Sequence, residues 1–310
     1  MAKVLVLGGD GFIGSHLIDD LLARGHEVSA FARFHNGRSF NLEHVRDKIE
    51  FVTGDFLNLA DLERALEGVE YVFHMISLST PASTMNDPLL DVQTNVFGTI
   101  QLLDLCVKKG VKKVIFPSSG GAIYGDTEMD LIDENHSTNP FCPYAISKLT
   151  IERYLDYFYR LHGLDYMVFR MSNPYGPRQS LSKKQGVVAV FMGRILREEP
   201  LVIWGDGNDV RDYVYVKDVT RVISDVFESD AGHRIYNLGS SEGRTVNDLI
   251  AILKELIPSS FEIQNIPRVK GHVNRVVLDS SRAKKELGFE PQVSFKEGVS
   301  KAWEHARKEH

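Results

Sequence analysis

The chain has 310 residues, 43% hydrophobic and 25% charged, which is the composition of a soluble globular protein with room for one large domain or two ordinary ones. A net charge of -6 gives no electrostatic case for a nucleic acid or an anionic membrane as partner, and the 11 histidines are scattered without metal-ligand spacing. Two cysteines, Cys106 and Cys142, cannot form a disulfide framework, no apolar run reaches the ~20 residues of a membrane span, and the start runs straight into a core strand rather than a signal peptide, so a cytoplasmic setting is expected.

The chain opens with a buried-strand pattern, Lys3-Val-Leu-Val-Leu7, and turns through Gly8-Gly9-Asp10-Gly11-Phe12-Ile13-Gly14 into a helical segment over Ser15–Ala23. Strand, glycine turn and helix in this order form the context of a dinucleotide fingerprint: glycines let the backbone approach a pyrophosphate, and the helix N-terminus offers free N–H groups. Two registers fit, Gly9-x-Gly11-x-x-Gly14 and the wider Gly8-x-x-Gly11-x-x-Gly14.

Strand-like runs recur at Glu27–Ala32, Ile49–Thr53, Val69–His74, Lys112–Pro117 and Asp165–Phe169, with helical spacing at Leu59–Leu66, Leu89–Lys108 and Pro143–Leu161 between them. This alternation predicts an α/β fold with a Rossmann-type, doubly wound parallel sheet. Within the last helix, Tyr144 and Lys148 stand four residues apart on one face, so phenol and ammonium can converge on one reacting group. A neighbouring positive charge favours the ionised phenol, which fits Tyr144 for proton transfer. Cys142, two residues earlier, reads as a packing thiol.

After Arg170 the texture changes. Asn173-Pro-Tyr-Gly-Pro-Arg178 is a turn-rich break and Ser180–Gln185 a polar loop. Helices over Val187–Arg197, Lys217–Phe227 and Asn247–Leu256 and strands over Leu201–Ile203 and Arg234–Asn237 predict a smaller α/β substrate lobe. The expected division is a dinucleotide-binding domain over 1–172 and a mainly substrate-binding lobe over 173–310, with one strand possible as a return to the first domain. Substrate is expected in the cleft between them.

Together these motifs resemble the extended short-chain dehydrogenase/reductase family, in its NAD-dependent epimerase/dehydratase group, most closely the nucleotide-sugar epimerases of the UDP-galactose (UDP-glucose) 4-epimerase type. The resemblance covers nearly the whole chain. It rests on the glycine turn, Gly54-Asp55-Phe56, Asn95, Ser118-Ser119-Gly-Gly-Ala-Ile-Tyr-Gly125, Tyr144-x3-Lys148 and Asn173-Pro. Gly205-Asp-Gly, Val210-Arg-Asp-Tyr-Val214, Asn237-Leu-Gly239 and Asp279-Ser-Ser-Arg-Ala283 extend it. It implies NAD or NADP bound by Gly8, Gly11, Phe12, Ile13, Gly14, Asp55, Phe56, Asn95, Ser118, Tyr144 and Lys148, with Asp55 accepting from the adenine amino group and Lys148 bonding the nicotinamide ribose. It implies catalysis by Tyr144, Lys148 and Ser119, and a nucleotide-diphosphate sugar held by Asn173, Arg178, Val188, Trp204 and Arg211, with Val276 as a size gate beside the sugar. Arginine's planar fork suits a diphosphate.

Three positions depart from the family pattern. The Ser or Thr expected four residues before Tyr124 is Gly120, leaving Ser119 or Ser118 to take its role, and Gly121-Ala122 lacks the acid pair of the 4,6-dehydratases. The second strand ends Phe31-Ala32-Arg33 without the carboxylate that binds the adenosine ribose of NAD. Arg33 or Arg38 would suit a 2′-phosphate and Asn36 a ribose, so NADP tolerance is expected. Arg268-Val-Lys-Gly-His272 replaces the usual Arg-Pro-Gly-Asp phosphate and ribose contact.

The implied activity is 4-epimerisation of a UDP-hexose or similar compound, by transient oxidation at C4, turning of the 4-ketose, and re-reduction on the other face. Two alternatives stay open: an NADPH-dependent 4-keto-sugar-nucleotide reductase, and a non-catalytic dinucleotide sensor. The resemblance also implies a homodimer through the two long helices. No metal, nucleic acid or membrane partner is expected.

Overall fold

The computed structural model describes every residue except 35–38, 78–83, 85, 86, 183, 184, 259, 268–272 and 310. Six strands follow one another through the first half: β1 (Lys3–Leu7), β2 (Glu27–Ala32), β3 (Glu50–Thr53), β4 (Tyr71–His74), β5 (Lys113–Ser119) and β6 (Asp165–Met171). The second half adds β7 (Asn173–Tyr175), β8 (Leu201–Trp204), β9 (Val210–Tyr215), β10 (Ile235–Leu238), β11 (Gly243–Thr245), β12 (Ile263–Ile266) and β13 (Arg275–Val276). Seven strands form one parallel sheet in the order β10-β6-β5-β4-β1-β2-β3. A strand order of 3-2-1-4-5-6 is that of the doubly wound dinucleotide-binding fold.

Both faces of the sheet are covered, which explains why its strands read as apolar runs rather than alternating ones. On one face Leu17, Ile18 and Leu21 of the helix Phe12–Ala23 pack with Val219, Val222 and Ile223 of the helix Val216–Val226. On the other, Leu102, Leu103 and Cys106 of the helix Gly98–Lys109 pack with Ile151, Leu155 and Phe158 of the helix Pro143–His162. The strand at Arg234–Asn237 returns to this sheet as β10, beside β6.

The remaining strands make two small sheets: β11-β9-β13 with β7 pairing β9, and β12-β8. With the helices Val187–Leu196, Val246–Leu256 and Phe295–Glu309 they enclose a separate apolar core that includes Phe191, Leu201, Tyr213, Leu249 and Trp303.

The predicted helix over Leu89–Lys108 holds a surprise. It runs as an α-helical turn, Pro88–Asp91, then a π-helical turn, Val92–Phe97, then the α-helix Gly98–Lys109. Such wide turns often lie at functional sites, and this one carries Asn95. Gly98 follows it because a Cβ there would come 2.6 Å from the Phe56 ring. Among the described residues no helix is long and apolar enough to cross a membrane.

Candidate active site

Because all seven strands of the main sheet run parallel, their carboxyl ends converge on one edge. The glycine turn follows β1 there, Arg33 follows β2, Asp55 follows β3, Ser119 ends β5 and Asn173 follows β6.

Sterics define the glycine turn. Gly8 has φ of 75°, its N–H donates to Phe31 O at 2.8 Å, and its own carbonyl accepts from Gly11 N at 3.0 Å. A Cβ on Gly14 would stand 2.4 Å from Gly8 O, closer than any real contact, so the helix can begin against the turn only with glycine there. Gly11 caps that helix without a side-chain hydrogen bond, and its first turn holds no acidic residue. A bare cradle with forward-facing N–H groups fits the pyrophosphate of a dinucleotide. Behind it, His16 is buried and bonds Pro177 O at 2.9 Å. Burial pushes its imidazole down to about 4.

Asp55 is exposed; one carboxylate oxygen accepts from Leu57 N at 2.9 Å, and its own N–H donates to Asp61 at 3.0 Å. Phe56 follows Asp55. Its ring is buried, 5.1 Å from the His74 ring, so only its backbone can face a ligand. Arg33 is exposed at the end of β2. Asn36, Arg38, Arg268, Val269, Lys270 and His272 lie outside the described residues.

Tyr144 and Lys148 project from the helix Pro143–His162 toward the end of β5. The Lys148 ammonium donates to Pro117 O at 2.9 Å, lies 4.4 Å from the Phe116 ring centroid and 5.8 Å from that of Tyr144. Burial pushes it down to about 8, against the opposing pull of Asp91 and Glu152. The Tyr144 phenol is pushed up to about 12, chiefly by burial, while a hydrogen bond with Ser119 pulls it down. In the protein alone, desolvation outweighs the downward pull of Ser119 on the phenol.

Ser119 takes the position that the glycine at 120 left in question. A Cβ on Gly120 would stand 2.5 Å from the buried Leu278 side chain and 3.0 Å from Arg170 O. The short helical turn Gly120–Ile123 separates Ser119 from Tyr124. Ser118, expected at the cofactor, is instead buried and donates to Glu152. Asn95 is buried too; its side chain donates to Asp91 at 2.8 Å, its carbonyl accepts from Thr99, and Asp91 also accepts from Ser147 on the tyrosine helix. Asp91 thus joins the two long helices, with Asn95 holding its carboxylate.

A cavity of about 260 Å³ opens in the second lobe, walled by Val188, Phe191, Trp204 and Tyr213, with Asn173 and Arg211 as polar groups. Four of the six expected substrate residues, Asn173, Val188, Trp204 and Arg211, line it. Asn173 donates to Asp212 O at 2.9 Å, and the Arg211 guanidinium donates to Val210 O at 2.9 Å and Val273 O at 2.6 Å. Val276 lies outside the cavity lining, in a buried cluster with Ile123, Tyr124 and Cys142 against which Tyr144 packs. Arg178 is corrected: it points to the first helix, 2.9 Å from Asp19, and takes no part in the cavity. Gln179 and Asp209 also line the cavity and were not singled out by motif. Among the described residues no cluster of His, Cys, Asp and Glu could hold a metal.

The profile of the NAD dependent epimerase/dehydratase family matches residues 4–239. The chain belongs to that family. It is 36% identical over 309 residues to the UDP-glucose 4-epimerase of Mycolicibacterium smegmatis, covering 98% of each. Among solved structures it is similar to a Thermotoga maritima UDP-glucose 4-epimerase with UDP-glucose (TM-score 0.91, 40% identity, 99% of each chain). It is also similar to the Thermus thermophilus UDP-glucose 4-epimerase in complex with NAD (TM-score 0.90, 35% identity, 98% of this chain and 99% of that one).

The Gly120 geometry makes a prediction. Restoring the family hydroxyl by Gly120→Ser should crowd Leu278 and cost about 1–3 kcal/mol of stability in urea unfolding, with no gain in activity. A variant of unchanged stability and higher turnover would show that the side chain reaches Tyr144 after all.

Proposed function

We propose that the protein is a nucleotide-sugar 4-epimerase acting on a UDP-hexose. The observation that carries this reading is the Tyr144–Lys148–Ser119 group at the carboxyl end of β5, on the sheet edge shared by the glycine cradle and by Asn173 of the cavity wall. The relatives named above supply the substrate class.

The cradle residues Gly8, Gly11, Phe12, Ile13 and Gly14 hold the dinucleotide, with Asp55 at the adenine and Lys148 at the nicotinamide ribose. When bound, the cofactor supplies a hydride acceptor and a ring cation that favours ionisation of a nearby phenol. Tyr144 takes the proton of the sugar 4-hydroxyl as C4 loses hydride, and returns it when the ketose is reduced from the other face. Ser119 donates a hydrogen bond to the reacting oxygen, and Lys148 stabilises the phenolate. Arg211 and Asn173 hold the diphosphate while the apolar wall of Val188, Phe191 and Trp204 takes the base. Firm anchorage there leaves the sugar free to turn beside Val276. Gly121 and Ala122 offer no acid for dehydration.

NADP tolerance belongs to the same reading, since Arg33 closes β2 where a ribose-binding carboxylate would stand. So does a cytoplasmic setting, which the two unpaired, buried cysteines favour.

Incubation with UDP-glucose and no added dinucleotide should yield the galacto epimer, followed by NMR, from protein that carries its cofactor through purification. Tyr144→Phe should lower kcat by about 10²–10⁴-fold, the usual worth of a proton-transferring side chain, while cofactor stays bound. Conversion that consumes NADPH stoichiometrically would favour the ketoreductase; full cellular function in the Phe variant would favour a sensor.

The reading includes a homodimer through the two long helices. Leu89, Val92 and Phe97 on one and Ile146, Tyr157 and Leu161 on the other are each about half exposed or more, a contiguous apolar load that a second copy would cover. Leu161→Glu should shift the protein from dimer to monomer in light scattering; a monomeric parent protein would end this part of the proposal.

A further inference from the structure

Three successive turns of the tyrosine helix engage three successive residues at the end of β5. Tyr144 faces Ser119, which lowers its phenol, Lys148 donates to Pro117 O at 2.9 Å, and Glu152 accepts from the Ser118 hydroxyl. Residues 144, 148 and 152 are spaced by four, so all three lie on one face. Tyr144 and Lys148 have roles in the reaction as read above; Glu152 has none. It is 3% exposed, and a carboxylate so buried requires partners.

Arg170 on β6 is the main one, donating to Glu152 through Nη2 at 2.7 Å and Nε at 3.2 Å. Its other arm donates to the Tyr124 hydroxyl at 3.1 Å, which in turn donates to Asn237 on β10 at 2.7 Å. Ser118 pairs with Arg170 across the two strands, so the carboxylate grips both neighbours at the same level. A buried and satisfied polar chain thus runs from β10 through β6 to the end of β5 and stops one residue short of Ser119.

We propose that Glu152 is a positioning residue for the reaction: by gripping Ser118 and Arg170 it fixes the height at which the Ser119 hydroxyl meets the Tyr144 phenol. The role rests on the epimerase reading of this site. Glu152 reaches no reacting atom and acts through its neighbours. Its charge also bears on Lys148, which is faced by Asp91 from the α-helical turn Pro88–Asp91, by His74 from β4, and by Tyr144 and Glu152 from its own helix.

Two variants test this in the full-length enzyme. Ser118→Ala removes the hydroxyl and leaves the Glu152–Arg170 ion pair; Glu152→Gln removes the charge. Both should lower kcat by about 10- to 100-fold, the cost of a small misplacement of reacting groups, with KM for the UDP-hexose within about twofold of the parent. The carbon-13 resonance of Lys148 Cε should titrate at lower pH in Glu152→Gln and at the parental pH in Ser118→Ala, a readout independent of turnover. Parental kcat in Ser118→Ala, or a loss in kcat matched by loss of folded protein in circular dichroism, would overturn the proposal. Should Glu152→Gln not fold, Ser118→Ala decides alone. A parent enzyme that epimerises no nucleotide sugar would instead refute the function on which the role rests, leaving the lysine titration to judge the contact.

Discussion

The docking of the tyrosine helix onto the end of β5 is the contact on which the site depends. A helix on a sheet can slide or roll by fractions of an ångström at small cost when only apolar groups meet. Here Lys148 is pinned to the Pro117 carbonyl and Glu152 to Ser118, so the helix has one register against the strand. Tyr144 then has one place to be. Its own backbone N–H, at the start of the helix, donates to the buried Thr84 hydroxyl, which fixes the remaining end.

This register puts four ionisable groups, Asp91, Lys148, Glu152 and Arg170, into one dry region. Such burial is costly unless each charge is paired, and removing one partner of a buried pair commonly costs about 3–5 kcal/mol. Glu152 and Arg170 satisfy one another. Asp91 accepts from Asn95 and Ser147. Lys148 is the least compensated, with its ammonium over the Phe116 ring and one carbonyl as acceptor, and burial lowers it accordingly. With the phenol high and the ammonium low, the protein alone holds Tyr144 protonated at neutral pH. Ionisation of the phenol at neutral pH therefore calls for added positive charge beside it.

Much of this was legible in the sequence because it rests on local rules. Glycine positions follow from backbone geometry, so Gly11 and Gly14, common to both registers of the turn, could be placed from spacing alone. The β–α alternation set the parallel sheet, and the four-residue spacing put Tyr144 and Lys148 on one face. What was not legible depends on tertiary distance. Nothing in the string says that Arg178 folds back on Asp19, or that the Phe56 ring turns inward against His74. The π-helical turn at Val92–Phe97 has no composition signal, although it carries Asn95. Nor does the string say that the space beside Gly120 is filled by the Leu278 side chain, from beyond β13, far along the chain. Glu152 was within reach, since it repeats the spacing that marks Tyr144 and Lys148, but its partner Arg170 sits on another strand.

The second lobe follows a different logic. Asp212, fully buried beside Arg211, accepts from the backbone N–H groups of Ser240, Ser241 and Leu278, and so ties β9 to the loop after β10 and to the chain beyond β13. This fixes the strand that presents Arg211 to the cavity, while Val276 on neighbouring β13 stays at the Tyr144 side. A rigid grip at one end and a permissive one at the other is what a ketose must have to turn over. The central claim is that hydride leaves and returns to one carbon. It is tested most directly with a UDP-hexose carrying deuterium at C4. The account predicts that the epimerised product keeps the deuterium at C4 in ordinary water; loss of the label to solvent would contradict it.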